Sequence, residues 1–423
     1  MLSFFLSAIE PLASPVPCQQ SGIGFLLLVR QRALVNPEFL YLNYQPAVSV
    51  NLVVHTDEFA YLSLETLENF IYDVMVGVGV PKKDSKIIAD VLIASDKRGI
   101  DSHGIARLKM YYDRIKNGQQ LPTTKLTIER ETPGIAVINA NNGIGHVAAK
   151  KAMELAIKKA KNVGISMVAV GHSNHFGIAG YYALMAVEEG MIGICGTNAR
   201  PAIAPTWGTE PMLGTNPLTI AVPTDWEFPW CADQATSTIQ RGKIEDYARL
   251  NKKLISGWVI DINGEPEIDP KKTLSGLAED AAALTPLGGV GEDLAGYKGY
   301  NYATFVEIMS SVLQQSSFLK ACRGVRNGRE VPFDIGHFFI VVNIEAFVDP
   351  DTFRKSVGNL LRELANSRKM PGARHIYVAG EKEYAAFKQR SKEGVPISKE
   401  TQRELLVMQS ELELTKYKFD FHV

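Results

Sequence analysis

Residues 134–177 read GIAVINANNGIGHVAAKKAMELAIKKAKNVGISMVAVGHSNHFG, and the spacing of apolar residues changes twice within this stretch. The runs GIAVIN (134–139) and ISMVAV (165–170) are short, apolar and rich in β-branched residues, which predicts two buried strands. Between them, residues 148–161 keep apolar positions at helical spacing, and Gly164 follows as a stop signal. The stretch therefore predicts a strand–helix–strand unit, which is typical of α/β proteins.

The alternation of strands and helices continues on both sides of this unit. A helix capped by Ser63 is expected at the start of the regular pattern, and a late helix begins at Asp349-Pro350, where proline suits the first helical position. The spacing in that late helix predicts burial of Phe353, Val357, Leu360, Leu361 and Leu364. Further strands are predicted at 191–196, 218–223 and 337–344. The whole pattern indicates an α/β chain without internal repeats.

The composition excludes several classes of protein. The 423 residues suffice for two or three domains, and 45 Lys and Arg residues balance 46 Asp and Glu residues. A net charge of −1 gives no field that would attract a polyanion, so nucleic acid is not an expected partner. The best apolar run, 24–29, stops at Arg30 and is far shorter than the ~18 residues of a membrane span, so no membrane partner is expected.

The four cysteines are Cys18, Cys195, Cys231 and Cys322; they are far apart and form no CxxC motif. They are too few to cross-link a chain of this length with disulfides. This usage is typical of the reducing cytosol, so a cytoplasmic protein is expected.

The first 61 residues differ in composition from the rest, because they contain six charged residues and no lysine. The apolar start lacks the basic residues that begin a secretory signal, and the stretch has too few arginines for a transit peptide. Residues 1–61 are therefore predicted to be an extension without a catalytic role, and the regular pattern is expected to begin at residue 62.

The turn from Gly143 through Gly145 to Ala148 matches the GxGxxA pattern of dinucleotide-binding turns between a strand and a helix. In such folds an acidic residue that binds the ribose follows at the end of the next strand. Here that strand leads into Gly171-His172 with no carboxylate nearby. We therefore interpret the two glycines as parts of a tight turn and not as a cofactor site.

The segment DSHGIAR, which begins at Asp101, is predicted to open a helix with Asp101 or Ser102 as its cap. His103, Arg107 and Tyr111 are then spaced by four residues and share one helix face. A guanidinium beside a helix N-terminus suits a carboxylate ligand. A solvated helix face with a capping serine is the alternative interpretation of the same spacing.

Two histidines, His172 and His175, lie in the loop GHSNHFG after the strand at 165–170. Such loops commonly hold reactive groups, and a neutral imidazole suits acid–base chemistry near pH 7. No thiol or carboxylate lies within several residues, so no metal site is expected. A hydrogen-bonded structural histidine is the alternative.

Three polar stretches that contain glycine, 214–217, 233–243 and 296–300, lie where a cofactor could bind. A lysine next to glycine places a cation beside open backbone N–H groups, which suits a phosphate. Taken singly, each stretch is more simply interpreted as a surface turn.

Six motifs together resemble the malate/L-lactate dehydrogenase family, which includes ureidoglycolate and sulfolactate dehydrogenases and cyclic-imine reductases. The motifs are RGIDSHGIARL (98–108), GHSNHFGIAGYYA (171–183), GTNARPAIAPTWGTEPMLGTNPL (196–218), ATSTIQRGKI (235–244), GYKGYNYATFVEI (296–308) and AGEKEY (379–384). Their order covers the chain from about residue 62 to the C-terminus.

The resemblance implies a non-Rossmann α/β fold with a mixed sheet and helices, and a homodimer whose active sites lie between domains. It implies a helical part at 62–132, an α/β cofactor-binding domain at 133–310, and a part at 311–423 that completes the substrate domain. It also implies NAD(P)-dependent interconversion of a small 2-hydroxy acid, malate before L-lactate, and its 2-oxo acid.

The resemblance also assigns roles to residues of this sequence. His175 corresponds to the catalytic histidine of the family. Ser102, His103 and Arg107 correspond to its substrate-binding element. The cofactor, NAD or NADP, would be bound by Ala199, Asp233, Gln234, Ala235, Lys298, Gly299, Tyr300, Glu381, Lys382 and Glu383.

Arg200 bears on the choice of substrate, and Tyr111 completes the candidate substrate-binding set. A C4 dicarboxylate has a second carboxylate that Arg107 cannot also hold, and Arg200 lies on a proline-bounded loop where the family lines its active site. A surface or cofactor-phosphate arginine is the alternative for Arg200. The open alternatives for function are a ureidoglycolate or sulfolactate dehydrogenase, a cyclic-imine carboxylate reductase, a non-catalytic ligand-binding relative, and a metal-dependent lyase that uses His172 and His175.

Overall fold

The computed structural model describes residues 59–326 and 328–421. Its helices are α1 (Leu64–Gly77), α2 (Lys82–Lys97), α3 (Leu108–Lys116), α4 (Gly145–Val163), α5 (Ala179–Glu188), α6 (Arg241–Arg249), α7 (Pro270–Ala278), α8 (Gly296–Ser311), α9 (Pro350–Ala365), α10 (Glu381–Glu393) and α11 (Lys399–Glu411). None of these described helices is long and apolar enough to cross a bilayer.

The strands are β1 (Phe59–Leu62), β2 (Thr127–Glu131), β3 (Ile135–Asn139), β4 (Ile165–Ser173), β5 (Ile192–Thr197), β6 (Leu218–Val222), β7 (Trp230–Gln234), β8 (Val259–Asp261), β9 (Ala282–Leu284), β10 (Val325–Arg326), β11 (Arg329–Glu330), β12 (Ile335–Val342) and β13 (Val395–Ser398). The predicted extension lies outside the described residues up to residue 58. The first strand already begins at Phe59, three residues before the predicted start of the regular pattern.

Seven strands form a mixed sheet in the order β2-β3-β4-β12-β5-β6-β7. Within this sheet, β3 and β4 pair in parallel and the other neighbours are antiparallel. The late strand β12 lies between β4 and β5, so a distant segment completes the centre of the sheet. The predicted α/β fold with a mixed sheet is confirmed, and its strand order is not that of a Rossmann domain.

Local sequence explains the strand–helix–strand unit at the centre. The helix α4 ends before Gly164, whose φ of +85° and amide hydrogen bond to the Ala160 carbonyl close the last turn. The strand β4 continues to Ser173, beyond the predicted apolar run, because β12 pairs with it along its length and Ile335 lies opposite Ser173.

Three main clusters of buried apolar side chains organise the described residues. One lies between the central sheet and helices α4 and α5. A second joins α1, α2 and α3 with β13 and α11, and a third packs α6, β8 and β9 against the loop after β5. The predicted part at 311–423 therefore divides: β12 belongs to the sheet because its apolar run suits a strand buried on both faces, whereas residues from Val395 onward pack with α1 to α3.

Two other expectations differ from the structure. The stretch 296–300, expected as a loop, forms the first turn of α8, and Gly299 permits it because a Cβ there would lie 2.3 Å from the Leu287 carbonyl oxygen. In α9, Leu361 is buried and Phe353 and Val357 are half-buried, but Leu360 and Leu364 are 57% and 54% exposed, so the predicted burial of the last two is wrong. The physical reason is that α9 meets the neighbouring loop at 225–226 through its Gly358 and Arg362 positions.

The start of the described chain is tied to its C-terminal part. The strand β1 pairs antiparallel with β13, with Phe59 opposite Ser398 and Leu62 opposite Val395. Val395 and Ile397 of β13 are buried in the second core. Pairing with β1 therefore covers one edge of that core.

We expect a chain that begins at Phe59 to keep the stability and activity of the full chain, because it retains all of β1. A chain that begins at Ser63 lacks this strand, and its free energy of unfolding should fall by about 1–3 kcal/mol. Urea unfolding of the three chains, together with their activities, tests this. Equal stability of the two shortened chains, or loss of activity in the chain that begins at Phe59, would contradict the expectation.

Candidate active site

The segment that begins at Asp101 forms two short 3-10 turns, Asp101–His103 and Ile105–Arg107, before α3 begins at Leu108. The prediction of one continuous helix here is wrong. Gly104 separates the turns with φ −95° and ψ −136°, outside the helical region, and the Ile105 amide donates to a side-chain carboxylate of α2.

Tyr111 and His175 meet although they are distant in the chain. The Tyr111 hydroxyl lies 2.5 Å from Nδ1 of His175. Tyr111 is buried on α3, so its hydroxyl group has a fixed position and in turn orients the imidazole of His175. Within the described residues, Nε2 of His175 makes no hydrogen bond, so this nitrogen is free to react with a ligand.

His103 lies against the same imidazole. The rings of His103 and His175 stack with centroids 5.6 Å apart and an interplanar angle of 23°. Ser102 Oγ lies 2.8 Å from Nδ1 of His103, and Nε of Arg107 donates to the Ser102 carbonyl at 2.6 Å. The structure thus brings together five of the six residues predicted to carry catalysis and substrate binding, but through two turns and a loop and not along one helix face.

Both imidazoles are neutral at pH 7. Burial lowers the pKa of His103 to about 4, and the nearby Arg107 adds to this effect. Burial and the neighbouring His103 and His146 hold the pKa of His175 well below its ordinary value. A neutral imidazole with a free Nε2 can accept a proton.

Positive charge collects around these rings. Burial lowers the pKa of Arg200, and Arg241, Arg323 and Arg107 lower it further. The pKa of Arg114 is lowered by burial and also by Arg200 and Arg107. Arg107, Arg114 and Arg200 form no ion pair with a carboxylate in the part of the chain that the structure describes. Unpaired guanidinium groups in one region are the ordinary signature of an anion site.

Part of the predicted cofactor set lines a cavity of about 1160 Å³. Asp233, Gln234, Lys382 and Glu383 lie in its wall. The wall also contains aromatic side chains that could contact a nucleotide base, among them Tyr181, Phe228, Tyr377, Tyr384 and Phe387. Ile100 and Ile178 belong to the same wall, and they are close in sequence to the Ser102 turn and to His175 respectively.

Asp233 is held from two sides within this cavity. Its carboxylate accepts hydrogen bonds from the Gly180 amide and the Thr219 hydroxyl, each at 2.7 Å. Burial raises the pKa of this carboxyl group above its ordinary value. Arg98 lies in the same wall and lowers that pKa, so the cavity offers both an acidic group and a cation.

The remaining predicted cofactor residues lie elsewhere. Lys298, Gly299 and Tyr300 are in the first turn of α8. Glu381, at the start of α10, accepts from the Val378 amide and lies 2.7 Å from the His375 ring nitrogen. The set predicted for one cofactor site is thus divided. Four of its residues line the cavity, Ala235 directly follows the wall residue Gln234, and the others lie in α8, at the start of α10 and on the loop after β5.

Ala199 packs against Gly214 on the loop after β5, next to a buried network around Glu307. The Glu307 carboxylate accepts from the side chains of Asn198 and Asn216 and from the Leu319 amide. This network joins α8 to the loop that carries Arg200.

The glycines of the GxGxxA turn have a packing role. A Cβ at Gly145 would lie 2.1 Å from the Asn174 carbonyl oxygen and 2.4 Å from that of His175, so glycine lets α4 pack against the loop that carries His175. Nδ1 of His172 lies 3.1 Å from a carboxylate oxygen of Asp334, whereas Nδ1 of His175 lies beside the Tyr111 hydroxyl group. The two histidines therefore do not share a partner. Among the described residues, no group of three or more His, Cys, Asp or Glu side chains could hold a metal.

Sequence reasoning missed Asp96, Arg114 and His146. Asp96 follows Ile88 and Leu92 at intervals of four residues, which places a carboxylate on the apolar face of a helix. This position was the sequence signal for a buried acidic residue. Arg114 lies three residues after Tyr111, on the same side of α3. No sequence signal marked His146, which packs edge-on against Tyr111 with centroids 4.7 Å apart.

Known proteins share both the sequence and the fold of this chain. Residues 62–406 match the family model described as malate/L-lactate dehydrogenase. The malate dehydrogenase of Pyrococcus horikoshii is 42% identical over 341 residues, which are 81% of this chain and 92% of that protein. The L-sulfolactate dehydrogenase of Methanocaldococcus jannaschii is 39% identical over 353 residues, 84% of this chain and 97% of that protein. The crystal structure of malate dehydrogenase from Entamoeba histolytica superposes with a TM-score of 0.82 at 44% identity, covering 86% of this chain and 100% of that one.

The buried histidines predict how stability depends on pH. Burial lowers the pKa of both His146 and His337 to about 3, so unfolding takes up protons and stability is lost as the pH falls below about 6.5. Neither ring nitrogen of His146 has a hydrogen-bond partner in the described chain. H146L should therefore keep its stability at pH 7 and lose about 1.4 kcal/mol per pH unit less than the wild type between pH 6 and pH 4.

H337L is the matched control, because His337 bonds to Thr197 and Ser173. This variant should lose about 1–3 kcal/mol already at pH 7. Chemical unfolding at several pH values measures both effects. An acid dependence in H146L equal to that of the wild type would contradict the argument.

Proposed function

The chain belongs to the malate/L-lactate dehydrogenase family, as its six motifs predicted, and it is a dehydrogenase of 2-hydroxy acids. From this premise we propose that it interconverts malate and oxaloacetate, with His175 as the proton acceptor and donor. One observation carries this proposal: the free Nε2 of His175 lies in a region where three guanidinium groups have no carboxylate partner. A dianionic substrate supplies the missing negative charge.

Arg107 would bind the carboxylate next to the reacting carbon. Its Nε is held by the Ser102 carbonyl at 2.6 Å, so its terminal nitrogens keep a defined direction toward the ligand. Arg200, supported by Arg114, would bind the second carboxylate. Binding both carboxylates fixes the orientation of the substrate relative to His175. Such orientation of the reacting groups is a major contribution of binding to the rate.

The proton moves through His175. When malate is oxidised, Nε2 takes the proton of the C2 hydroxyl group; this requires the tautomer of His175 with its ring proton on Nδ1, which donates to the Tyr111 hydroxyl oxygen. When oxaloacetate is reduced, the imidazolium returns this proton to the C2 oxygen. The negative charges of the bound substrate raise the pKa of His175 from its low value, which lets the imidazolium form.

The cofactor class follows from the family, since dehydrogenases of this kind use NAD or NADP. When bound, the nicotinamide would supply the hydride acceptor for oxidation at C2 of the substrate and the hydride donor for reduction. The cavity fits such a molecule, because Asp233 and Glu383 can bind ribose hydroxyls, Arg98 and Lys382 can bind phosphate, and aromatic side chains complete the wall. Both acids and cations are present, so this lining is compatible with NAD and with NADP.

A homodimer stays a prediction, which the mass of the protein in solution decides. Apolar side chains left exposed on two helices support it: Phe305 on α8 is 44% exposed, and Leu360 and Leu364 on α9 exceed half exposure. Exposed apolar surface of this kind is typical of subunit interfaces.

The same geometry ranks the alternatives. Sulfolactate is also a dianion and fits the arginines, whereas lactate and a cyclic-imine carboxylate have one carboxylate and leave Arg200 unpaired. Ureidoglycolate has a neutral second group. A non-catalytic relative would not require a neutral imidazole with a free nitrogen at this position. A metal-dependent lyase would require His172 and His175 to bind the same metal ion, but the two side chains have different partners, Asp334 and Tyr111.

H175N should lower kcat by ~10²–10⁴ and leave cofactor affinity nearly unchanged, because the amide cannot accept the proton. Absorbance at 340 nm with NADH or NADPH and with oxaloacetate or pyruvate measures this. H172N is the matched control, since His172 faces Asp334, and it should retain most of its activity. If H175N kept a near-wild-type kcat, the assignment would be wrong and His103 would be the next candidate.

R200A should raise KM for oxaloacetate and reduce the preference for oxaloacetate over pyruvate by ~2–4 kcal/mol, because one carboxylate loses its partner in a closed site. The values of kcat/KM for both acids in both proteins decide the matter. R249A removes an arginine that is paired with Asp246 on α6 and should change neither value. An equal loss for both acids in R200A would assign Arg200 to the cofactor or to the scaffold.

A further inference from the structure

Asp96 lies in the last turn of α2 and is 1% exposed. Its Oδ2 accepts a hydrogen bond from the Ile105 amide at 2.9 Å. Ile105 begins the second 3-10 turn of residues 102–107, which we call the substrate segment. This one bond therefore joins α2 to the middle of the substrate segment. The mechanism proposed above does not use Asp96.

The position of this bond matters because of what lies on either side of it. Ser102 and His103 precede Ile105, and Arg107 follows it. The two sides are already linked by the hydrogen bond from Arg107 to the Ser102 carbonyl. A shift of Ile105 would therefore displace the linked histidine and arginine from their present positions beside His175.

Gly104 shows how closely the segment packs on the carboxyl group. A Cβ at this position would lie 1.9 Å from Oδ1 of Asp96. Glycine is thus required because the backbone of the segment rests directly on the acid. The carboxyl group therefore supports the segment by direct backbone contact as well as by accepting a hydrogen bond. We call the segment seated when both contacts are made and released when they are broken.

The surroundings of Asp96 disfavour a negative charge. Oδ1 is buried and has no hydrogen-bond partner in the described chain. The charged groups that face it are Asp101, which directly precedes the substrate segment, and Arg390 of α10; Arg390 is bonded to Asp101, which offsets its charge. The carbonyl end of α2 adds a negative partial charge. The hydrogen bond from the Ile105 amide favours the ionised form, but burial outweighs it and raises the pKa of this carboxyl group to about 8.

We propose that Asp96 is a positioning residue for the substrate: its buried carboxyl group holds the segment 102–107 in the conformation that binds the 2-oxo acid. The inference rests on the proposed function of that segment. Its consequence is that substrate affinity depends on pH through a residue that does not touch the substrate.

The direction of this dependence follows from linkage. The seated segment keeps the proton on Asp96 up to about pH 8, whereas a released segment exposes an ordinary carboxyl group with a pKa near 3.8. Between these values each pH unit weakens the seated state by up to about tenfold, and above pH 8 there is no further loss. Seating is therefore strongest at low pH and declines as the pH rises.

Hydrogen exchange at the Ile105 amide tests the seat without any turnover. After correction for the intrinsic exchange rate, protection in the wild type should fall between pH 5 and pH 8 and then level off. D96N keeps an acceptor oxygen and cannot ionise, so its protection should not change over this range. D84N is the matched control: it removes another buried carboxylate of α2, far from the segment, and should behave as the wild type.

Steady-state kinetics test the effect on the substrate. D96A should raise KM for the 2-oxo acid by about tenfold or more with the cofactor KM unchanged, while D96N stays close to the wild type at pH 6. From pH 6 to pH 8, KM should rise in the wild type and in D84N but stay flat in D96N. If D96A fails to fold, the comparison of D96N with the wild type still decides the proposal.

Two results would overturn the proposal: the same pH dependence of Ile105 protection in D96N and in the wild type, or a D96A enzyme with an unchanged KM for the 2-oxo acid. Failure of the proposed function looks different. In that case the wild type would reduce no 2-oxo acid, while the exchange experiment would still report whether Asp96 seats the segment.

Discussion

The buried imidazole of His337 joins the two strand ends that carry the site. Its Nδ1 lies 2.8 Å from Thr197 Oγ1 at the end of β5, and its Nε2 lies 2.9 Å from Ser173 Oγ at the end of β4. Because β12 lies between these strands, one side chain sets how far the loop of His175 lies from the loop of Arg200. The His175 imidazole and the candidate second anion site therefore depend on a residue that belongs to neither of them.

The acidic groups nearest the site are used as scaffold and not as partners for its arginines. Asp96 accepts from the Ile105 amide, Asp233 from the Gly180 amide, and Glu307 from two asparagine side chains and the Leu319 amide. A buried carboxyl group that is bonded to N–H donors positions loops without cancelling a guanidinium. The positive charge around His175 is therefore left for an anionic ligand to neutralise.

Sequence reasoning succeeded where the signal was local. The apolar runs predicted β3, β4, β5, β6 and β12, and Gly164 and Asp349 marked helix ends because their backbone or side chain acts on the adjacent turn. It failed where a distant group competes with the local pattern. The helix expected from Asp101 is broken because the Asp96 side chain takes the Ile105 amide, and α9 leaves Leu360 and Leu364 exposed because the fold gives them no described partner.

The sequence by itself determined the α/β class, the periodicity of most elements and the identity of the reactive residue types, since spacing and side-chain chemistry are properties of the chain alone. Only the tertiary structure decided that β12 enters the centre of the sheet, that Tyr111 meets His175, and that Asp96 seats the substrate segment. The paired residues of β12 and β4 are 162 to 177 positions apart, Tyr111 and His175 are 64 apart, and Asp96 and Ile105 are 9 apart. Their partners are selected by burial and shape, which no local pattern encodes.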